Sequence, residues 1–343
     1  MEEENVAAKK RIMESLQKRL KRDEDEYVKR WRRFNQFDVI MNDDHLSVLG
    51  DADVHCGEDF RTKKIMVDWR ILKERLPRTI FVKGYKSLKD RLRAVIVGEA
   101  GTPFHDGLFF FDIEFPSSYP YKPPVVRYHS YGFRLHPDLE WDGTVRLSLL
   151  NTSRKKNTRE KYWSTDSNVL EVLVSIQKHI MNSKPYLDSE RILPKWFYNT
   201  EKKSLAYNQK AFVLNCKTML EVMHKPPKDF EFFVAQHFRD RADTILSACL
   251  AYKKGQKVGA PFPILPSFSS TLSSASLSTL SRRHLLKSSN RRNSKFRTSI
   301  NVLYSRFYQA FLQMGLRWST LLITRSSSFQ STGSITCKLI ENS

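Results

Sequence analysis

Four short apolar segments separated by brief turns constrain the fold of this 343-residue chain more than any other feature. They are Thr79–Tyr85, Leu92–Val97, Leu108–Phe115 and Val125–His129. The second and third connections contain glycine or proline, and all three are too short to contain a crossover helix. The pattern therefore predicts a four-stranded antiparallel meander.

Helices are predicted on both sides of these strands. Pro77 ends the first one, and Asn168 with Glu171 three residues later is a capping signature at the start of the second. The pair Pro226-Pro227 separates the last two. The predicted helices span 59–76, 169–180, 202–223 and 229–252. One helix, a sheet and then three helices make the expected fold class α+β.

Both ends of the chain differ from this central part. Residues 5–34 have apolar residues at helical spacing and predict an amphipathic helix, while the polar, acidic residues 38–58 predict a linker. The region 266–343 contains 20 serines among 78 residues, with 11 basic and 1 acidic side chain. That composition predicts disorder for most of 259–343, with a weak interfacial helix at Ile300–Thr324 as the alternative.

The formal net charge of +21 is typical of proteins that bind nucleic acids. Because the tail supplies +10 of it and no nucleic-acid-binding module is visible, nucleic acid is the least favoured partner. No window of about 18 apolar residues predicts a membrane span. The cysteines, Cys56, Cys216, Cys249 and Cys337, fit no metal-ligand spacing, so we expect neither metal nor cofactor. A reducing compartment, the cytoplasm or nucleus, is expected.

The segment Leu135–Leu150 carries the most informative motif. His136-Pro137 precedes Arg146 by ten residues, with the turn signature Asp142-Gly143 between them. Together with the loop Tyr119–Pro124 and with Trp163, this order resembles the ubiquitin-conjugating enzymes, in particular the large, plant-like members with extensions around the core. The resemblance covers roughly 59–258.

The resemblance implies a ubiquitin-conjugating core at 59–222, an N-terminal helix and linker at 1–58, a trailing helix at 223–258 and a tail at 259–343. It also implies that Arg146 stands where the family has the cysteine that carries ubiquitin as a thioester. Asp138 then stands at the place of the asparagine usually assigned to the oxyanion, and His136 is expected to be structural. No catalytic residue would be intact.

Neither replacement supports the family's chemistry. Thioester formation needs a thiolate nucleophile, and a guanidinium stays protonated and offers only donors. An ionised Asp138 would repel an oxyanion. We expect Asp138 and Arg146 to form an ion pair across the site. Ser148 is an unsuitable substitute nucleophile, and Cys216 and Cys249 are expected to be buried structural thiols.

The expected function is therefore that of a catalytically inactive family member. It would act by binding ubiquitin, the activating enzyme, a ligase or a substrate protein. The alternative is an active ubiquitin-conjugating transferase in which Arg146 is a variant or a sequence error. A basic nucleic-acid-binding protein is the second alternative.

Overall fold

The computed structural model describes residues 35–40, 60–153, 161–188, 200–262 and 291–313. Most of them belong to one compact unit, which comprises Phe34–Leu265 and Leu286–Phe307. The predicted helix at 5–34 lies outside the described residues, as does most of the predicted linker.

The elements follow one another as a short strand, a helix, four strands and then helices. They are β1 Phe37–Ile40, α1 Phe60–Arg75, β2 Ile80–Tyr85, β3 Arg91–Val97, β4 Leu108–Glu114, β5 Val125–Tyr128, a 3-10 helix Ser148–Leu150, α2 Val169–His179, α3 Pro185–Asp188, α4 Thr200–His224, α5 Glu231–Lys253 and α6 Arg291–Gln313. The fold class α+β and the four predicted strands are confirmed, with strand ends shifted by at most one residue.

The sheet has five strands rather than the predicted four, in the order β1-β2-β3-β4-β5. Strands β2 to β5 form the expected antiparallel meander, and β1 joins it by pairing parallel to β2. The Asp38 carboxylate lies 2.7 Å from Lys83 Nζ and helps to hold this strand. The prediction of linker from residue 38 was wrong here, because four residues show no clear period and their partner lies more than 40 residues away.

One face of the sheet packs against α1 and α2. Ile65, Trp69 and Leu72 of α1 are buried there, on the side of the helix that the sequence spacing predicts. The start of α2 is capped as expected, since the Glu171 N–H donates to the Asn168 side chain at 3.0 Å. These helices fix the orientation of the segments that follow the sheet.

The opposite face of the sheet is covered by α5. Phe81, Val95 and Phe110 lie side by side across β2, β3 and β4. The ring of Phe233 lies 4.6 Å from that of Phe81, and the ring of Phe230 lies 5.3 Å from that of Phe110. The sheet is thus enclosed by helices on both faces, which makes α5 part of the hydrophobic core.

The prediction of disorder after 259 does not hold for α6. Phe296, Ile300, Leu303 and Phe307 recur at helical spacing and are all buried. The helix overlaps the first part of the alternative prediction at Ile300–Thr324; residues 314–324 lie outside the described residues. None of the helices that the structure describes is long and apolar enough to cross a membrane.

Candidate functional site

A tight reversal organises the segment that contains Arg146. The N–H of Glu140 donates to the carbonyl of Thr144 at 3.0 Å, and Leu139 forms a bridge with Val145. Gly143 occupies the turn with φ of 88°, a conformation that favours glycine. The predicted Asp142-Gly143 turn is therefore confirmed, and it brings Arg146 opposite Asp138.

The chain is also fixed immediately after Arg146. Ser148–Leu150 form a single 3-10 turn, which ends at Asn151 with φ of 57°. The Thr152 hydroxyl donates to the carbonyl of Val145 at 2.7 Å and accepts from the N–H of Leu147 at 3.0 Å. Backbone on both sides of Arg146 is thus hydrogen-bonded, which fixes the point from which its side chain starts.

His136 is buried and binds only backbone groups in its two ring hydrogen bonds. Nδ1 accepts from the N–H of Asp138 at 3.1 Å, so Nε2 carries the proton and faces the carbonyl of Pro185 at 3.3 Å. Burial lowers the pKa of His136 to about 4, although the hydrogen bond to Pro185 opposes that shift. A neutral imidazole follows, so its 3.4 Å approach to the Asp138 carboxylate is no ion pair near neutral pH.

Arg146 and Asp138 meet through their backbones. The N–H of Arg146 donates to the carbonyl of Asp138 at 2.8 Å. The ion pair of the Arg146 side chain is with Glu140, whose Oε1 lies 3.0 Å from Nε. The expected partner was therefore wrong, because the side chain pairs diagonally rather than with the residue directly opposite.

Arg134 also pairs with Glu140, so Arg134, Glu140 and Arg146 form one charged group. Its Nη2 lies 2.9 Å from Oε2 and 3.0 Å from Oε1 of Glu140. The Glu140 side chain is only 10 % exposed, against 22 % for Arg146 and 37 % for Arg134. Sequence reasoning missed both residues. The opposite charges of these residues were the available signal. However, Glu140 is six residues from each arginine, and that spacing alone does not reveal a diagonal contact across the turn.

Among the described residues, the substitute nucleophiles considered from the sequence are buried. Ser148 is 3 % exposed, and Cys216 and Cys249 are fully buried free thiols. Burial raises the pKa of Cys216 further, which disfavours its thiolate. The expected burial of Cys216 and Cys249 is confirmed, while Cys56 and Cys337 lie outside the described residues.

The other motif residues form a packed support. The Trp163 indole donates to the carbonyl of Pro120 at 2.7 Å, and its ring contacts that of Tyr119. The hydroxyl of Tyr119 donates to the buried carboxylate of Asp68 on α1. Burial raises the pKa of Asp68 to about 6, against the effect of that hydrogen bond. The loop 119–124 and Trp163 are thus joined to α1.

Comparison with known proteins assigns this arrangement to a family. A family model described as ubiquitin-conjugating enzyme matches residues 64–227. Over 242 residues the chain is 42 % identical to the putative ubiquitin-conjugating enzyme E2 38 of Arabidopsis thaliana, covering 70 % of this chain and 73 % of that protein.

Two further relatives from the same plant are much longer. The probable ubiquitin-conjugating enzyme E2 25 is 44 % identical over 246 residues, which is 70 % of this chain and 40 % of that protein. The probable ubiquitin-conjugating enzyme E2 23 is 47 % identical over 229 residues, 66 % of this chain and 21 % of that protein. The chain thus spans less than half the length of these two relatives. From the matched core and the identity along most of its length, the chain belongs to the ubiquitin-conjugating enzyme family.

Proposed function

We propose that this chain is a catalytically inactive member of the family and acts by binding partners in the ubiquitin pathway. The observation that carries the proposal is Arg146. By resemblance to the family's active-site segment, Arg146 stands where the thioester cysteine would be, directly after the turn. Its guanidinium is paired with Glu140. A guanidinium has no nucleophilic form near neutral pH, so no acyl group can be accepted there.

The neighbouring groups support the same conclusion. Asp138, at the place of the family's asparagine, is 6 % exposed, and its carboxylate lies 3.4 Å from a neutral imidazole. A carboxylate at that position destabilises a developing oxyanion instead of donating to it. His136 keeps its backbone hydrogen bonds, so its proposed role is to hold the segment.

An exposed aromatic pair supports a binding role. Phe60 at the start of α1 is 56 % exposed and Tyr121 in the proline-rich loop is 74 % exposed, with their ring centroids 6.1 Å apart. Met66 and Val67 on α1 are each 43 % exposed. Exposed aromatic side chains contribute large contact area at protein interfaces, and we assign this surface to a pathway protein such as the activating enzyme.

A competition experiment tests the binding role. The chain is added in excess to a reaction in which limiting activating enzyme charges an active conjugating enzyme. We expect slower charging, and we expect Phe60→Ala combined with Tyr121→Ala to weaken the inhibition about tenfold. Val302→Ala is the matched control, because Val302 is an exposed apolar residue on a different element, α6. Absence of inhibition, together with no measurable binding to ubiquitin, activating enzyme or ligase, would refute the proposal.

A further inference from the structure

The Arg134–Glu140–Arg146 group places a mostly buried carboxylate beside position 146. Glu140 Oε1 lies 3.0 Å from both Arg134 Nη2 and Arg146 Nε. The backbone of Glu140 is fixed in the turn by its hydrogen bond with Thr144. The carboxylate is therefore held at position 146 by both its side-chain and its backbone contacts.

Charge balance at this group depends on Arg146. Arg134 and Arg146 both pair with Glu140, and two more carboxylates, the buried Asp138 and the exposed Asp142, lie in the same segment, while His136 is neutral. A neutral side chain at position 146 would remove one of the two guanidinium groups that pair with Glu140. The segment therefore favours a cation at position 146, where thioester chemistry requires an anionic sulfur.

We propose that Glu140 is a positioning residue coupled to Arg146, and that it blocks thiolate chemistry at position 146 even when a cysteine is restored there. The inference rests on the proposed function. A carboxylate a few ångströms from a sulfur opposes the thiolate and then the oxyanion of each acyl transfer. The inactive state would thus be built from at least two residues.

The test compares Arg146→Cys with the double variant Arg146→Cys, Glu140→Gln. Glutamine keeps the shape of the side chain and an acceptor for Arg134 but removes the charge. The readout is the rate at which iodoacetamide alkylates the introduced thiol across pH, followed by mass spectrometry of its peptide. That peptide is distinct from those of the native cysteines.

We expect a thiol pKa above the ordinary value of about 8.5 in the single variant. In the double variant it should fall by about one unit, which gives about ten times more thiolate at neutral pH. Ubiquitin charging should rise by about the same factor. Asp142→Asn in the Arg146→Cys background is the control, because Asp142 is an exposed carboxylate beside the same turn whose charge is screened by solvent, so it should shift the profile much less than Glu140→Gln does.

Two results would overturn the proposal: identical pH profiles for the single and double variants, or an equal shift from Asp142→Asn. If Arg146→Cys does not fold, a urea-unfolding cycle with Arg146→Met and Glu140→Gln takes its place, and additive effects would overturn the proposal. The alkylation profile requires no activating enzyme. Its outcome is therefore separate from the proposed function, which fails if the native chain itself forms a thioester.

Discussion

His136 illustrates how one buried residue fixes the candidate site. Both ring nitrogens face backbone groups from different parts of the chain, the Asp138 N–H and the Pro185 carbonyl. The ring of Tyr207 on α4 closes its side at 6.5 Å. The imidazole therefore links the turn segment to α3 and α4, and its neutral form is the one that fits.

The pKa of His136 gives a prediction for stability against pH. In the folded chain the pKa of His136 is lowered to about 4, whereas in the unfolded chain it is about 6.5. Between these two pH values the unfolded chain therefore binds the proton more readily than the folded chain does. The contribution of neutral His136 to the free energy of unfolding is complete above pH 6.5 and is lost as the pH falls toward 4. The loss is about 2 kcal/mol at pH 5.

Urea unfolding of the native chain and of His136→Gln at pH 7 and pH 5 measures this contribution. The raised pKa of Asp68, about 6, acts in the opposite direction over part of the range, but it is common to both proteins and cancels in their difference. An equal loss of stability in the two proteins would show that His136 does not titrate as described.

For Arg146, the backbone environment could be predicted from the sequence but the ion partner of the side chain could not. The turn and the opposition of Arg146 and Asp138 could be predicted, because Asp-Gly and the flanking residues fix the register. The ion partner could not, because a long guanidinium side chain reaches diagonal as well as opposite neighbours. Glu140 and Arg134 were therefore found only in the structure.

The turn preceding Arg146 requires glycine for two reasons, and they can be separated. A Cβ on Gly143 would lie 2.7 Å from the carbonyl oxygen of Tyr128, in addition to the unfavourable φ of 88°. Gly132, with φ of 78°, has nothing within 4 Å of a Cβ position. We expect Gly132→Ala to cost about 1 kcal/mol and Gly143→Ala at least about 1 kcal/mol more. Equal costs in denaturant unfolding would argue against the close approach.

Helix α5 is predicted to be indispensable to the sheet it covers. Phe233 is 1 % exposed against Phe81, so Phe233→Ala should destabilise the chain by about 3–5 kcal/mol. Phe60→Ala removes the same atoms from a side chain that is 56 % exposed and should change stability by only about 0.5 kcal/mol. Thermal unfolding of both variants checks this. Similar losses would mean that α5 packs only loosely on the sheet.

Elements with a strong period were predictable and those without one were not. The spacing of Ile65, Trp69 and Leu72 located α1, and the short apolar segments with brief turns between them located the meander. β1 was not predicted, because its four residues form a strand only by pairing with β2, which is distant in the sequence. α6 was obscured by the serine-rich composition around it, although Phe296, Ile300 and Leu303 carry the helical period.

At the scale of the whole molecule, the family fold is retained, and we propose that its reaction centre is altered. The sheet packs against α1 and α2 on one face and α5 on the other, and the proline-rich loop and Trp163 are held to this core. Such a scaffold can present binding surfaces without a reactive thiol, since the packed core does not include Arg146. The boundaries at 58, 222 and 258 remain predictions.

Thioester formation by the native chain tests the central claim most directly. The purified protein is incubated with activating enzyme, ubiquitin and ATP, beside an active family member, and the products are separated with and without reductant. We predict a reductant-sensitive ubiquitin adduct for the active member and none for this chain. A reductant-sensitive adduct on the native chain would contradict the account and would require another nucleophile to be located.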